Sequence, residues 1–222
     1  MLIDARAVAK DTVVQTDICI VGAGAAGITL AREFVGKSFR VCLLESGGFE
    51  LDEQTQALYR GESGGVSYFP LESARLRFFG GSTNHWAGDC RPLDEADFEV
   101  RDWVPYSGWP FSKSHLDPFY KRAQSICQLG PSYYGVDFWT DSKNGPPLPV
   151  ANDKFITTFF QHSPPTRFGT LYRQEVTGAD NINVYLHANV TEIESTRPVQ
   201  RVSRVKIACL DGTRFTVAAK LF

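Results

Sequence analysis

Two short apolar runs near the N-terminus frame a stretch with helical spacing. The first covers residues 17–21, Asp-Ile-Cys-Ile-Val, and the second covers residues 40–45, Arg-Val-Cys-Leu-Leu-Glu. Unbroken aliphatic runs of this length are typical of strands that are buried on both faces of a parallel sheet. Between them, residues 25–35 carry apolar side chains at helical spacing, and Gly36 follows as a terminator. The pattern predicts a strand–helix–strand unit with a right-handed crossover.

The rest of the pattern predicts one longer helix and three late strands. The helix covers residues 114–129, with Ser114 and Asp117 spaced as a capping box and Gly130 as its stop. The strands are predicted at residues 183–193, 202–210 and 213–221. Asp211-Gly212 joins the last two, which is a strong hairpin signal.

The distribution of proline divides the chain into three segments. Eleven of the 12 prolines lie between Pro70 and Pro165, and aromatic residues are concentrated in the same stretch. We therefore predict an α/β fold, in which a Rossmann-like dinucleotide-binding domain contains a parallel sheet and an antiparallel β-meander. The predicted segments are a nucleotide-binding part at 1–100, a Pro- and aromatic-rich insertion at 101–180, and the meander at 181–222.

Composition and charge exclude several classes of function. The formal net charge is -2, so the chain lacks the basic excess of a nucleic-acid-binding protein. Five cysteines, at positions 19, 42, 90, 127 and 209, form no CxxC pair and indicate a reducing compartment. The stretch Ile18–Leu30 is charge-free but shorter than the roughly 20 apolar residues that a membrane span needs. With no secretory signal discernible, we expect a cytoplasmic protein without a membrane span.

The chemistry is carried first by a glycine motif between the first strand and the helix. Residues 22–27 read Gly22-Ala23-Gly24-Ala25-Ala26-Gly27 and match G-x-G-x-x-G. In such a motif the first glycine allows a tight turn, the second lets a pyrophosphate approach, and the third allows close helix–strand packing. Glu45, followed by Ser46, ends the second strand, where a carboxylate accepts hydrogen bonds from ribose hydroxyls. The motif predicts a dinucleotide site but does not by itself separate NAD from FAD.

A second cluster adds a family resemblance. Residues 80–86 read Gly-Gly-Ser-Thr-Asn-His-Trp, and residues 107–110 read Ser-Gly-Trp-Pro. Together with the upstream glycine motif, these resemble the glucose–methanol–choline (GMC) flavin oxidoreductases, near the pyranose oxidase and sugar-acid dehydrogenase branch. The resemblance implies FAD as the cofactor, and it implies that the insertion is part of a substrate domain.

The resemblance also implies roles for individual residues. Gly80, Gly81 and Ser82 would pass close to the flavin and its phosphates, and Asn84 and His85 would lie beside the isoalloxazine ring. In pyranose oxidases a histidine at a similar offset is covalently bonded to the flavin, so we hypothesise a covalent or close flavin contact at His85. A structural histidine within a loop is the alternative. The peptide group of Val190 would hold the adenine edge, although an ordinary strand residue is an equally simple interpretation.

No residue of this chain matches the catalytic histidine that the resemblance places near the C-terminus of longer relatives. We therefore expect an N-terminal part of an oxidoreductase that oxidises CH–OH groups of a sugar or alcohol, inactive alone and with no metal. The electron acceptor is unknown. His115 and His162 are expected to be structural, and Trp103, Trp109 and Trp139 are expected to fill the core of the insertion.

Two other functions stay open. An NAD-dependent dehydrogenase on a plain Rossmann fold would leave the cluster at residues 80–86 unexplained. A nucleotide-binding remnant or interaction module, without catalysis, would retain only the cofactor cradle.

Overall fold

The computed structural model describes residues 1–139, 157–196 and 201–222. The chain forms two compact units. The first unit contains residues 1–85 and 167–222, and the second contains residues 86–166. The segments predicted from the sequence, 1–100, 101–180 and 181–222, stay a prediction of functional parts.

A four-stranded parallel sheet forms the centre of the first unit. Its strands are β1 (Leu2–Asp4), β3 (Ile18–Val21), β4 (Val41–Leu44) and β7 (Ile182–Leu186). They lie side by side in the order β1, β7, β4, β3. All four residues of β4 are buried, as expected for a central parallel strand whose two faces are both covered. The predicted parallel sheet is confirmed.

A second sheet in the same unit is mostly antiparallel. Its strands are β2 (Val13–Gln15), β8 (Asn189–Ser195), β9 (Val202–Ala208) and β10 (Arg214–Ala218). They lie in the order β2, β10, β9, β8, with β2 parallel to β10 and the other pairs antiparallel. Gly212, at φ +93°, makes the hairpin between β9 and β10, so the meander and its turn are confirmed.

One predicted strand proved to be two. The apolar pattern at residues 183–193 is interrupted at His187, whose backbone adopts φ +61°. This left-handed residue ends β7 in the parallel sheet and lets the chain enter β8 in the other sheet. The prediction of one continuous strand was wrong because a single positive-φ corner leaves little trace in a hydrophobic pattern.

The core of the first unit lies between its two sheets. Its side chains come from both sheets and include Cys19, Cys42, Tyr185, Val205 and Val217, each at most 5% exposed. Helices cover the other face of the parallel sheet: α1 (Ala25–Glu33) and the short α7 (Arg173–Thr177) contact it and each other. The unit therefore has three layers, namely helices, parallel sheet and antiparallel sheet.

The remaining helices of the first unit are short. They comprise α2 (Glu53–Gln56), α3 (Leu71–Ala74) and α6 (Phe168–Leu171), together with 3₁₀ turns at Ala5–Ala7, Ala57–Tyr59 and Gly81–Asn84.

The second unit contains one long helix, α4 (Lys113–Ile126), and a two-stranded ladder of β5 (Asp89–Cys90) and β6 (Gln161–His162). It also holds the short helix α5 (Val136–Trp139) and a 3₁₀ turn at Glu95–Phe98. The predicted capping box was wrong: the helix begins one residue earlier, after Ser112. Asp117 instead pairs with Lys113, with 2.9 Å between Nζ and Oδ1.

The prediction that three tryptophans fill the core of the insertion is wrong for two of them. Trp103 is 80% exposed and Trp109 is 54% exposed, so neither fills a core. The side chain of Trp139 lies outside the described part of the structure. Within the described residues, no helix combines the length and apolarity that a membrane crossing requires.

Candidate functional site

The glycine motif forms a tight connection between β3 and α1. Gly22 adopts φ +92°, and its N–H donates to the carbonyl oxygen of Leu44 at 2.7 Å. A methyl group built on Gly27 would lie 1.8 Å from the carbonyl oxygen of Gly22. No side chain other than hydrogen fits at Gly27, because the helix backbone lies directly on the turn.

The N-terminal end of α1 is open. Gly24 occupies the N-cap position, and no described side chain makes a capping hydrogen bond there. A methyl group built on Gly24 would meet no described atom within 4 Å. The N–H groups of the first turn, at Ala25 and Ala26, therefore have no capping side chain among the described residues, and they lie at the positive end of the helix dipole. This is the arrangement that binds a phosphate or another anion.

Glu45 connects the glycine motif to the turn that follows β4. Its carboxylate accepts hydrogen bonds from the N–H of Ala23 at 2.8 Å and from the N–H of Gly47 at 2.9 Å. The residue is only 5% exposed. Glu45 thus fixes two backbone segments, a role that the sequence did not reveal. A contact with ribose hydroxyls stays a prediction.

The structure brings the second cluster against the first. The N–H of Gly80 donates to the carbonyl oxygen of Ala23 at 2.7 Å. A methyl group on Gly81 would lie 3.1 Å from the Cα atom of Gly24. Gly80 adopts φ +100°, a backbone conformation that favours glycine. The two motifs, far apart in the sequence, therefore form one backbone-lined mouth around the start of α1.

The polar residues of the second cluster differ in their surroundings. Asn84 donates from Nδ2 to the carbonyl oxygens of Phe79 and Gly81, both at 3.0 Å, and so stabilises the loop. The hydroxyl of Ser82 accepts a hydrogen bond from the N–H of Leu76 at 3.2 Å. Ser82 and His85 are both exposed. Their predicted contact with a flavin stays a prediction, and exposure leaves His85 accessible for it.

Two residues that support this loop were missed in the sequence. The hydroxyl of Thr83 donates to the carbonyl oxygen of Gly80 at 2.7 Å, and its carbonyl accepts from Arg167 at 2.7 Å. A methyl group on Gly169 would lie 2.2 Å from the carbonyl oxygen of Phe79. Thr83 lies inside the motif, whereas Gly169 carries no local signal because its partner is remote in the sequence.

A cavity of about 480 Å³ opens beside the turn after Glu45. Ser46 and Gly48 line one side, and His187 and Asn189 line another. Within the described residues, the Oδ1 atom of Asn189 is buried without a hydrogen-bond partner, while Nδ2 donates to Ala208 at 3.1 Å. An unpaired buried acceptor costs free energy unless a ligand or water donates to it.

His187 and Val190 flank the same corner between the sheets. Burial lowers the pKa of His187, with the positive charge of Arg6 adding to the effect. A neutral imidazole is therefore favoured at the cavity wall. Val190 is partly buried and packs against the core between the two sheets. Its predicted backbone contact with adenine stays a prediction.

The residues present fit a dinucleotide such as FAD. The open first turn of α1 suits a pyrophosphate, and the space at Gly24 suits its close approach.

No protein-family model matches the chain, and no curated protein matches its sequence. Among solved structures, pyridoxine 4-oxidase from Mesorbium loti is similar over 93% of this chain and 48% of its own, with 19% identity and a TM-score of 0.58. Aspergillus oryzae RIB40 formate oxidase, in a structure that concerns FAD modification, is similar over 97% of this chain and 46% of its own. Its identity is 14% and its TM-score 0.53. The chain shares the fold of these two oxidases.

Both oxidases are GMC oxidoreductases, so the resemblance drawn from the two glycine clusters is confirmed at the level of the fold. The predicted fold class, a Rossmann-like parallel sheet with a mixed second sheet, is confirmed with it. The chain spans about half the length of these oxidases.

Proposed function

We propose that this chain binds FAD as the cofactor-binding part of a GMC-type oxidoreductase. One observation carries the proposal: Gly81 packs against Gly24 while the N-terminus of α1 stays open. The contact joins the two clusters on which the family resemblance rests. The open N-terminus of α1 is where we propose that the pyrophosphate binds.

Each part of the site is proposed to bind a different group of the FAD molecule. The N–H groups of Ala25 and Ala26 would hold the pyrophosphate, and Glu45 with Ser46 would bind the adenosine ribose. The cavity beside Asn189 and Val190 would hold the adenine.

The flavin end would lie along Gly80–His85. Ser82 and Asn84 would border it, and His85 would be in contact with the ring or covalently bonded to it. The mouth is lined mainly by the backbone of glycine residues. Because glycine has no side chain, the phosphates have room to approach the backbone.

The whole protein is proposed to oxidise the CH–OH group of a sugar or alcohol. Bound flavin supplies the acceptor for a hydride from the substrate carbon. The part of this activity that we assign to the present residues is holding and orienting the cofactor.

The test is Gly24→Ala, with Gly64→Ala as the matched control. At both positions a methyl group meets no described atom within 4 Å, and neither glycine has a positive φ. Both variants should therefore fold like the parent protein. Gly24→Ala places its methyl group in the path of the pyrophosphate, and loss of one hydrogen bond to a charged group costs about 1.5–3 kcal/mol.

We expect FAD affinity, measured by quenching of flavin fluorescence, to fall about tenfold or more for Gly24→Ala, since ~1.4 kcal/mol is tenfold. Gly64→Ala should bind as the parent does. Equal affinities for all three proteins would refute the placement of the pyrophosphate. Tight binding of NAD without FAD binding would favour the dehydrogenase alternative.

The covalent hypothesis at His85 has its own measurement. The FAD-bound protein is precipitated with acid, and a covalently bonded flavin should stay in the pellet. The pellet of the His85→Ala variant should contain no flavin. Complete release of flavin from the parent protein would exclude the bond, and it would leave FAD binding itself untouched.

A further inference from the structure

Two cysteine thiols of the second unit lie in contact. Cys90 is on β5 and Cys127 directly follows α4, and the two thiol groups are within hydrogen-bonding contact of each other. Both residues are partly buried, and both are free thiols. Their separation in the sequence, without a CxxC motif, gave no indication of this pairing.

The second unit holds both cysteines from one shared segment. Cys90 is the ladder partner of Gln161 in β6. The side chain of Gln161 accepts a hydrogen bond from Nε2 of Gln124, in the last turn of α4, at 3.3 Å. The hydroxyl of Thr166 donates to the carbonyl oxygen of Cys127 at 3.1 Å. Because the same stretch of chain fixes both backbones, the thiols face each other at high effective concentration.

We propose that Cys90 and Cys127 form a reversible intramolecular disulfide by exchange with a low-molecular-weight disulfide such as oxidised glutathione. In the first step the sulfur of one cysteine attacks the glutathione disulfide, breaks its S–S bond and releases one glutathione. In the second step the other cysteine attacks the mixed disulfide, forms the protein S–S bond and releases the second glutathione. Two protein thiols are oxidised, and two electrons and two protons end on two molecules of reduced glutathione.

Burial affects both thiols. Burial and the neighbouring Cys127 together raise the pKa of Cys90 to about 11. Burial also raises the pKa of Cys127, but the hydrogen bond from Cys90 opposes this shift. Both shifts favour the protonated thiols, so we expect the exchange to be slow at neutral pH and to become faster as the pH rises.

The other three cysteines provide an internal contrast. Cys19 and Cys42 are register partners on β3 and β4 in the first unit, and each is 1% exposed. Cys209 is 6% exposed and belongs to the same core. A disulfide reagent reaches these thiols only when the core opens, so they stay reduced while the protein is folded.

The experiment incubates the full chain with oxidised glutathione and follows intact mass, thiol content and disulfide-linked peptides. We expect the parent protein to lose two hydrogen atoms without retaining glutathione, and to titrate in denaturant two thiols fewer than its original five. Digestion should yield one linked pair, containing Cys90 and Cys127.

Three variants test the pairing. Cys90→Ser should retain one glutathione on Cys127, and Cys127→Ser should retain one on Cys90, because in each the second thiol is missing. Cys209→Ser should behave as the parent does.

A parent protein that carries glutathione on both residues, that links other cysteines, or that stays unchanged would overturn the proposal. The peptide map of the parent decides the question even if a variant fails to fold. None of these readouts depends on FAD.

Discussion

The carboxylate of Glu45 offers a sharp test of how the cofactor mouth is held together. It accepts one backbone N–H on each oxygen, from Ala23 at 2.8 Å and from Gly47 at 2.9 Å, in a site that is 5% exposed. Glu45→Gln keeps the size of the side chain but replaces one acceptor by an NH₂ donor. One of the two buried N–H groups then faces another donor and loses its partner.

The expected cost follows from that unpaired group. A buried donor left without an acceptor costs about 1–3 kcal/mol, and the surviving hydrogen bond weakens because its acceptor is no longer charged. We expect Glu45→Gln to lower the free energy of unfolding by about 2–3 kcal/mol. This is a large part of the stability of an ordinary domain, which is about 5–15 kcal/mol.

Urea unfolding of the chain without cofactor measures this cost as a shift of the midpoint at constant slope. Glu62→Gln is the matched control, since Glu62 is exposed on a loop, and its unfolding free energy should stay within about 0.5 kcal/mol of the parent. If Glu45→Gln were as stable as Glu62→Gln, the two hydrogen bonds would not hold the mouth and our account of Glu45 would be wrong.

Two further predictions concern stability. Gly27→Ala should destabilise the protein by about 3 kcal/mol in urea unfolding, because its methyl group would lie 1.8 Å from the carbonyl oxygen of Gly22; an unchanged midpoint would contradict this packing. Hydrogen bonds from Lys220 and from the N–H of Arg40 lower the pKa of Asp17 to about 2. The stabilisation by ionised Asp17 is therefore complete above its ordinary pKa and is lost as the pH falls through about 2, so Asp17→Asn should melt below the parent at neutral pH. The melting-temperature gap should close between about pH 4 and pH 2, and a pH-independent gap would refute this role.

Local patterns were sufficient to predict the parallel sheet. The run Val41–Leu44 is apolar at every position, and the structure buries every position, so its sequence and its environment agree. The dipeptide Asp211-Gly212 likewise predicted the hairpin turn, since Gly212 supplies the positive φ that the turn needs. Features of this kind depend only on residues that are close in the sequence, and they can therefore be predicted from it.

Long-range packing was not predictable in the same way. The backbone at Gly169 touches that at Phe79, and the thiol at Cys127 touches that at Cys90, yet neither pair has a distinctive spacing. His187 ended a strand that hydrophobicity alone would have continued. In each case the deciding contact or angle arises only when distant segments are assembled.

The glycines of the first motif show why such assembly matters for function. Gly24 and Gly27 are both glycines of the motif G-x-G-x-x-G, but the physical reason for glycine differs between the two positions. At Gly27 the fold itself excludes a side chain, because the carbonyl oxygen of Gly22 occupies the space. At Gly24 the described fold leaves that space open, with φ at −81°, a value that any residue adopts. Folding therefore accounts for Gly27 but does not by itself require glycine at position 24, whereas the proposed binding of a phosphate on the first turn of α1 would require it.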